Sequence, residues 1–259
     1  AASDVYKRQK SFYIKDKKRV LIAVDGIYCD CDIYLNGKFL ASHHHGYAPF
    51  MVDLTDFLYY DRENILAIRV DNPIPTSRWY SGSGIFRDVD LILADDIYFK
   101  EIKINDIGLE ENKADVTLKI KASLENKGKN QEKIRISHKL IYDNKVIKTY
   151  ESEYFTINPA EDLKLESNFQ IKYPRLWSPD SANLYKIQST IEKNGEVLDI
   201  VTNDYGFRYL STSSQNGLKL NGKPIKLKAV CLHHDQGALG AADHHRAILR
   251  QVLIMKDMG

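Results

Sequence analysis

Histidines are the residues of this chain best suited to chemistry, and most stand in clusters. His43-His44-His45 occupies a short loop, Ser42–Pro49. Clustered imidazoles bind metals adventitiously, but a designed site needs further ligands at fixed spacing, and no Asp, Glu or Cys stands at that spacing here. A solvated loop is the expected reading. A second cluster, His233-His234-Asp235, ends an apolar run from Ile225 to Leu232. Ser81 and Ser83 invite a nucleophile, but their window has no histidine base, no strand–turn–helix pattern and no Gly-x-Ser-x-Gly. Cys29 and Cys31 alternate with Asp30 and Asp32, so both thiols face one side of a strand. Core packing is expected, since a Cys-x-Cys metal site would need a second pair. The glutamates, for example Glu151, Glu153 and Glu161, are scattered and show no convergent acid–base pair.

Bulk properties limit the classes available. The chain has 259 residues, 43% hydrophobic and 28% charged, as in a globular protein. Lys+Arg number 37 against 35 Asp+Glu, and the charges are interspersed. No basic block is present to track a phosphate backbone, which argues against nucleic acid as a partner. No apolar run approaches the roughly 20 residues of a membrane span. Three cysteines without regular spacing argue against a disulfide framework. Ala1 to Gln9 show no strand or helix pattern and resemble translated adapter sequence, so no element is expected there. Localisation stays open, because no signal-peptide core is visible and the native start is not evident.

The elements that must position these groups are mostly strands. Residues 10–96 read as antiparallel β: Val20–Val24, Ile33–Leu35, Phe39–Ala41, Ile65–Val70 and Val89–Leu93. Asn36-Gly37 is a strong hairpin signal between two of them. Asn72–Gly84 is a long loop rich in Gly, Pro, Ser and aromatics. Residues 97–210 form a second all-β segment, with alternation at Val116–Ala122, Ile134–Ile136 and Tyr185–Ile191. Its turns fall at Asn126–Asn130, Asp143-Asn144 and Asn194-Gly195, a spacing that fits an immunoglobulin-like sandwich. Residues 211–259 change period. A strand over Ile225–Leu232, apolar on both faces, precedes a helix from about Asp243 to Met258. Ile248, Leu249, Val252 and Met255 lie on one face of that helix. A single β/α unit cannot bury its own faces. The expectation is a truncated chain, since a complete (β/α)₈ barrel takes roughly 250 residues.

Several stretches, in order, resemble glycoside hydrolase family 2, the β-galactosidase, β-glucuronidase and β-mannosidase group. Arg78-Trp79-Tyr80-Ser81-Gly82-Ser83-Gly84-Ile85-Phe86-Arg87-Asp88-Val89 is similar to the signature closing the family's sugar-binding sandwich. Pro174-Arg175-Leu176-Trp177-Ser178-Pro179 with Asn183-Leu184-Tyr185, and then Tyr205-Gly206-Phe207-Arg208, resemble its immunoglobulin-like domain. Leu220-Asn221-Gly222-Lys223-Pro224, through to His233-His234-Asp235, resembles the approach to the catalytic barrel. The His-His-Asp-Gln-Gly-Ala-Leu-Gly stretch is most like bacterial β-galactosidase homologues. The resemblance implies a mainly β chain: a partial jelly-roll (galactose-binding-like) sandwich at 10–96 lacking its N-terminal strands, an immunoglobulin-like sandwich at 97–210, and at 211–259 the first β/α unit of a truncated TIM barrel.

It also implies retaining glycoside hydrolysis of a terminal β-linked sugar, most readily a β-galactoside. The acid and nucleophile would be glutamates beyond the chain end, so no catalytic residue is assigned. Substrate-binding candidates carry over by position. His233 would sit at the C-terminal end of the first barrel strand, where barrel active sites lie, and its neutral imidazole can donate to or accept from sugar hydroxyls. The competing reading is a core histidine. His234 and Asp235 follow directly, and Asp235 could hold an imidazole in one tautomer or simply solvate the loop. Asp88 matches the aspartate that touches sugar hydroxyls and a monovalent cation in some relatives; paired with Arg87 it would instead be structural. The family's partner asparagine would lie before residue 1. Trp79 and Tyr80 stack a sugar or cover the sandwich edge. No cofactor is required on this chain; the implied partner is a carbohydrate, and an oligomer is open to the full-length enzyme. The alternatives are a non-catalytic carbohydrate-binding β-sandwich module, or a β-glucuronidase or β-mannosidase of the same family.

Overall fold

A computed structural model describes residues 4–72, 83–110, 115–232 and 236–259. The chain divides into two compact units, one of residues 1–93 with 230–259 and one of residues 94–229. The fold is mainly β, as expected, and each unit is built from antiparallel sheets.

The first unit contains β1 (Asp4–Tyr13), β2 (Arg19–Val24), β3 (Ile27–Tyr28), β4 (Asp30–Leu35) and β5 (Lys38–His43). Then come β6 (Phe50–Asp53), β7 (Glu63–Asn72), β8 (Gly84–Ile85) and β9 (Val89–Ala94). They form a four-stranded sheet in the order β1-β7-β4-β5, a three-stranded sheet β6-β2-β9 and a short β3-β8 pair. Period-two alternation explains the burial. Leu66, Ile68 and Val70 of β7 point inward with Cys31, Ile33 and Leu35 of β4, and meet Val20, Ile22 and Val24 of β2. Burial of each such side chain stabilises the sandwich by about 1.5–3 kcal/mol.

The β4–β5 hairpin closes on Asn36 at φ 51° and Gly37 at φ 80°, the left-handed pair that a two-residue hairpin turn requires. Asn36 also ties the turn to β7. It accepts from the Ile65 N–H through Oδ1 (2.9 Å) and donates through Nδ2 to Phe57 O (3.0 Å) and to Oδ1 of the fully buried Asn64 (2.9 Å).

Two expectations are corrected. Residues 4–9 belong to β1, which pairs antiparallel with β7 from Asp4↔Asn72 to Tyr13↔Glu63. Their polar composition hid an edge strand, which needs only one partner and can be exposed from residue 7 onward. The strand expected over Ile225–Leu232 is not formed. Residues 225–232 lie outside any strand, and Leu227 is 74% exposed. A parallel strand takes its ladder from neighbours on both sides, and no described strand lies beside this run.

The second unit runs β10 (Ile97–Ile107), β11 (Asp115–Asn126), β12 (Glu132–Tyr142), β13 (Lys145–Glu151) and β14 (Phe155–Ile157). It continues with β15 (Asp162–Lys172), β16 (Tyr185–Lys193), β17 (Glu196–Tyr205), β18 (Leu210–Ser213), β19 (Gly217–Leu220) and β20 (Lys223–Pro224). One sheet is β10-β11-β15; the facing one is β13-β12-β16-β17, with β14 added to β12. Its core has two clusters, one around Leu118, Ile120, Leu140, Phe169 and Phe207 and one around Leu124, Ile134, Ile136 and Ile191. Asn126 is fully buried at one end. It donates to Asn130 O (3.0 Å) and Ile157 O (3.3 Å), and accepts from Gly128 N–H (2.9 Å). The turns at Asp143-Asn144, Asn194-Gly195 and Asn221-Gly222 all adopt positive φ at both residues.

The helix α1 spans His245–Asp257, within the stretch expected from its periodicity, and none of its residues is buried.

Candidate functional site

The edge of the first unit that carries Asp88 is assembled from three chain segments. β8 pairs with β3, Ile85 opposite Ile27 and Gly84 opposite Tyr28. Immediately after it, the Phe86 and Arg87 amides both reach Gly26 O (3.3 and 3.4 Å), and Asp88 O accepts from Asp25 N–H (3.1 Å). The close approach explains Gly26: a Cβ there would lie 2.6 Å from the Phe86 ring. Tyr47 packs edge-on to Phe86 at 5.7 Å and against Tyr28 at 5.4 Å, and burial, reinforced by Tyr28, raises its phenol pKa. This aromatic wall fixes the backbone that presents Asp88.

Arg87 turns away from its neighbour. Its guanidinium lies 5.1 Å from the Phe86 ring centroid, and Nε donates to Asp243 Oδ2 at 3.0 Å. The Asp243 amide donates to Phe86 O at 2.7 Å. The pairing of Asp88 with Arg87, one of the two sequence readings, is therefore replaced by Arg87–Asp243. Asp88 is exposed, and its carboxylate has no hydrogen bond or ion pair among the described residues. Such a group can accept from two hydroxyls at once. A cation would need several oxygen ligands. Among the described residues no group of three or more His, Cys, Asp or Glu is arranged to hold a metal ion.

His233, His234, Asp235, Trp79, Tyr80 and Ser81 lie outside the described residues. The Arg87–Asp243 link was not anticipated. Its one sequence signal is an aspartate just ahead of a helix, which by itself marks only a helix boundary.

The other candidates resolve into separate roles. His43 stacks on Phe50 at 4.1 Å, His44 meets Asp30 at 3.0 Å, and His45 Nδ1 accepts from the Tyr47 and Ala48 amides. Asp30, unnoticed as a partner in the sequence, comes from across the hairpin. Cys31 is buried, and burial pushes its thiol up to about 11, which keeps it protonated and unreactive. Cys29 is half-buried and points its Sγ at Asp71 O (3.6 Å). Glu151 meets Arg135 at 3.3 Å, and Glu161 Oε2 accepts from the Asn158 amide at 2.6 Å. Arg135 also holds Glu192 at 3.0 Å, so Glu151 belongs to an ion-pair network.

Three motifs of the second unit interlock. Trp177 N–H donates to Phe207 O (2.8 Å), Asn221 Nδ2 donates to Trp177 O (2.9 Å), and Asn221 Oδ1 accepts from Tyr209 N–H (3.1 Å). Arg208 lies 5.4 Å from the Trp177 ring. A Cβ on Gly206 would come within 3.0 Å of Trp177, so the indole fills the space that this glycine leaves.

Residues 97–208 match the family model described as Glycosyl hydrolases family 2. A β-galactosidase of Bacteroides ovatus is 34% identical over 92% of this chain and 28% of its own length. A β-glucuronidase of Bacteroides fragilis is 27% identical over 97% of this chain and 38% of its own. The crystal structure of a family 2 member from Bacteroides cellulosilyticus superposes with a TM-score of 0.91 at 30% identity, over 98% of this chain and 36% of that one. The chain thus spans well under half the length of these relatives.

Proposed function

Because the chain belongs to glycosyl hydrolase family 2, we propose that it forms the non-catalytic portion of a retaining glycoside hydrolase, first of all a β-galactosidase. The observation that carries this is identity of 34% to a β-galactosidase along nearly the whole chain, across both units. Retaining hydrolysis uses one carboxylic acid to protonate the leaving oxygen and a second carboxylate, about 5–5.5 Å away, to attack the anomeric carbon. Both groups belong to the rest of the enzyme in this reading. This chain supplies the rim. The carboxylate of Asp88, without a partner among the described residues, accepts from substrate hydroxyls in this reading, and His233, with His234 and Asp235 beside it, completes that rim on the barrel side. A β-glucuronidase is the second reading, supported by the relative of that name at 27% identity.

The test is turnover of aryl β-galactoside and aryl β-glucuronide by the 259-residue chain and by the full-length enzyme. The full-length enzyme is expected to cleave the galactoside and the chain alone neither substrate. Turnover by the chain would overturn the assignment of the acid and nucleophile elsewhere. Cleavage of the glucuronide alone would overturn the galactosidase reading.

A further inference from the structure

The long edge strands of the second unit's two facing sheets differ in one respect. β10, β13 and β17 each carry an extra residue that breaks register with the neighbouring strand: Lys100, Ile147 and Leu198. Such bulges turn an edge away from further pairing. β15 has none. Its 11 residues pair with β11 without interruption, from Glu125↔Asp162 to Asp115↔Lys172, and include neither Pro nor Gly. No described strand pairs with it on the other side. The ladder shows which groups face that side. Asn126 N–H donates to Glu161 O (3.1 Å), so by alternation the odd-numbered residues of β15 bond to β11. The even-numbered ones aim N–H and C=O at the open edge. Lys148 Nζ, reaching over from β13, donates to Gln170 O at 2.9 Å, as that parity requires. The second lone pair of this carbonyl can still accept from an amide. On the inward face Ser167, Phe169 and Ile171 are buried, but Leu163 and Leu165 are only half-buried.

We propose that β15 is a dimerisation edge, where two copies of this chain pair antiparallel about a two-fold axis through Ser167. This register uses the whole strand and is self-complementary. It sets Asp162 opposite Lys172 of the second copy, Lys164 opposite Gln170, and Glu166 opposite Asn168, so no like charges meet. On the inward face Leu163 meets Ile171 and Leu165 meets Phe169, which covers the half-buried leucines. Moving the axis by one residue, to Glu166 or to Asn168, brings Glu166 onto its own copy or Lys164 onto Lys172. The even-numbered residues supply the hydrogen bonds, and each copy uses groups that β11 leaves unpaired. The sheet β10-β11-β15 then runs on into its mate through an isologous contact.

The test is sedimentation and amide hydrogen exchange of the 259-residue chain over a range of concentrations. A Leu249→Glu/Leu253→Glu background keeps the exposed side chains of α1 out of the measurement. A monomer–dimer equilibrium with a dissociation constant of about 10–100 μM is expected. The amides of Lys164, Glu166 and Asn168 should gain protection as concentration rises, whereas those of Leu163, Leu165 and Ser167 are protected throughout. Asn168→Pro deletes one open-edge donor without touching the β11 ladder, and is expected to weaken the dimer by about tenfold or more. Should that variant lower the melting temperature, Lys172→Glu sets carboxylates opposite one another at both ends of the pairing. It is expected to weaken the dimer about tenfold. A monomer up to about 1 mM, a dimer that leaves exchange at Lys164, Glu166 and Asn168 unchanged, or wild-type dimerisation in both variants would each overturn the proposal. No turnover enters the readout, so this contact and the hydrolase reading fail independently.

Discussion

At the scale of single residues, two buried polar side chains set stability. His138 is fully buried, with Nδ1 at 2.8 Å from Ser189 Oγ and Nε2 without a partner among the described residues. Burial pushes its pKa down from 6.5 to about 4. The unfolded chain therefore binds the proton first as pH falls. The stability from neutral His138 is complete above pH 6.5 and is lost as pH drops towards 4. Urea midpoints over this range should fall by an amount equivalent to about 3 kcal/mol, and His138→Phe should flatten the slope. Asn126→Ala would strand two carbonyls and one amide, at a cost of about 3 kcal/mol in denaturant unfolding. Asn126→Asp should not rescue it, because a carboxylate cannot donate to Asn130 O and Ile157 O. The functional side chains were less legible than these. Asp88 stood out in the sequence, but whether Arg87 would pair with it depended on Asp243, which lies 156 residues from Arg87.

At the scale of elements, hairpins were the most legible feature, because Asn-Gly at a turn acts through local backbone geometry alone. Gly37 has φ 80° and open space where a Cβ would go, so Gly37→Ala should cost about 1 kcal/mol through backbone strain only. Calorimetry of that variant checks it. Gly206→Ala should instead displace Trp177 and quench or shift its fluorescence, since that Cβ would meet the indole. Amphipathic strands with a clear inner face, such as β7 and β11, also declared themselves. Edge strands did not. β13 is exposed at nearly every position, and β1 is polar, so neither shows the alternation that a buried face imposes. The run Ile225–Leu232 failed in the opposite direction: its apolar sequence suggests a buried strand, but burial needs neighbours as well as hydrophobicity.

At the scale of the whole molecule, the segment ahead of α1 is held to the first unit through Asp243, with its amide on Phe86 O and its carboxylate on Arg87. Arg87→Ala should raise hydrogen exchange across 237–257 while leaving β4 and β7 protected; unchanged exchange would show the link to be idle. The ion pair is half-exposed, so global stability should change by no more than about 1 kcal/mol. The helix itself leaves Leu249, Val252 and Leu253 about half exposed. Such a stripe favours self-association. Sedimentation should show concentration-dependent oligomers, reduced in a Leu249→Glu/Leu253→Glu variant. The interlock of Trp177, Phe207, Tyr209 and Asn221 bears on how this chain can be recombined with its relatives. A crossover placed between positions 177 and 221 would join an indole from one parent to a glycine or amide evolved against another. Chimeras should therefore survive when the stretch from Ala94 to Ala229 is exchanged whole, and lose yield when the junction falls inside that knot.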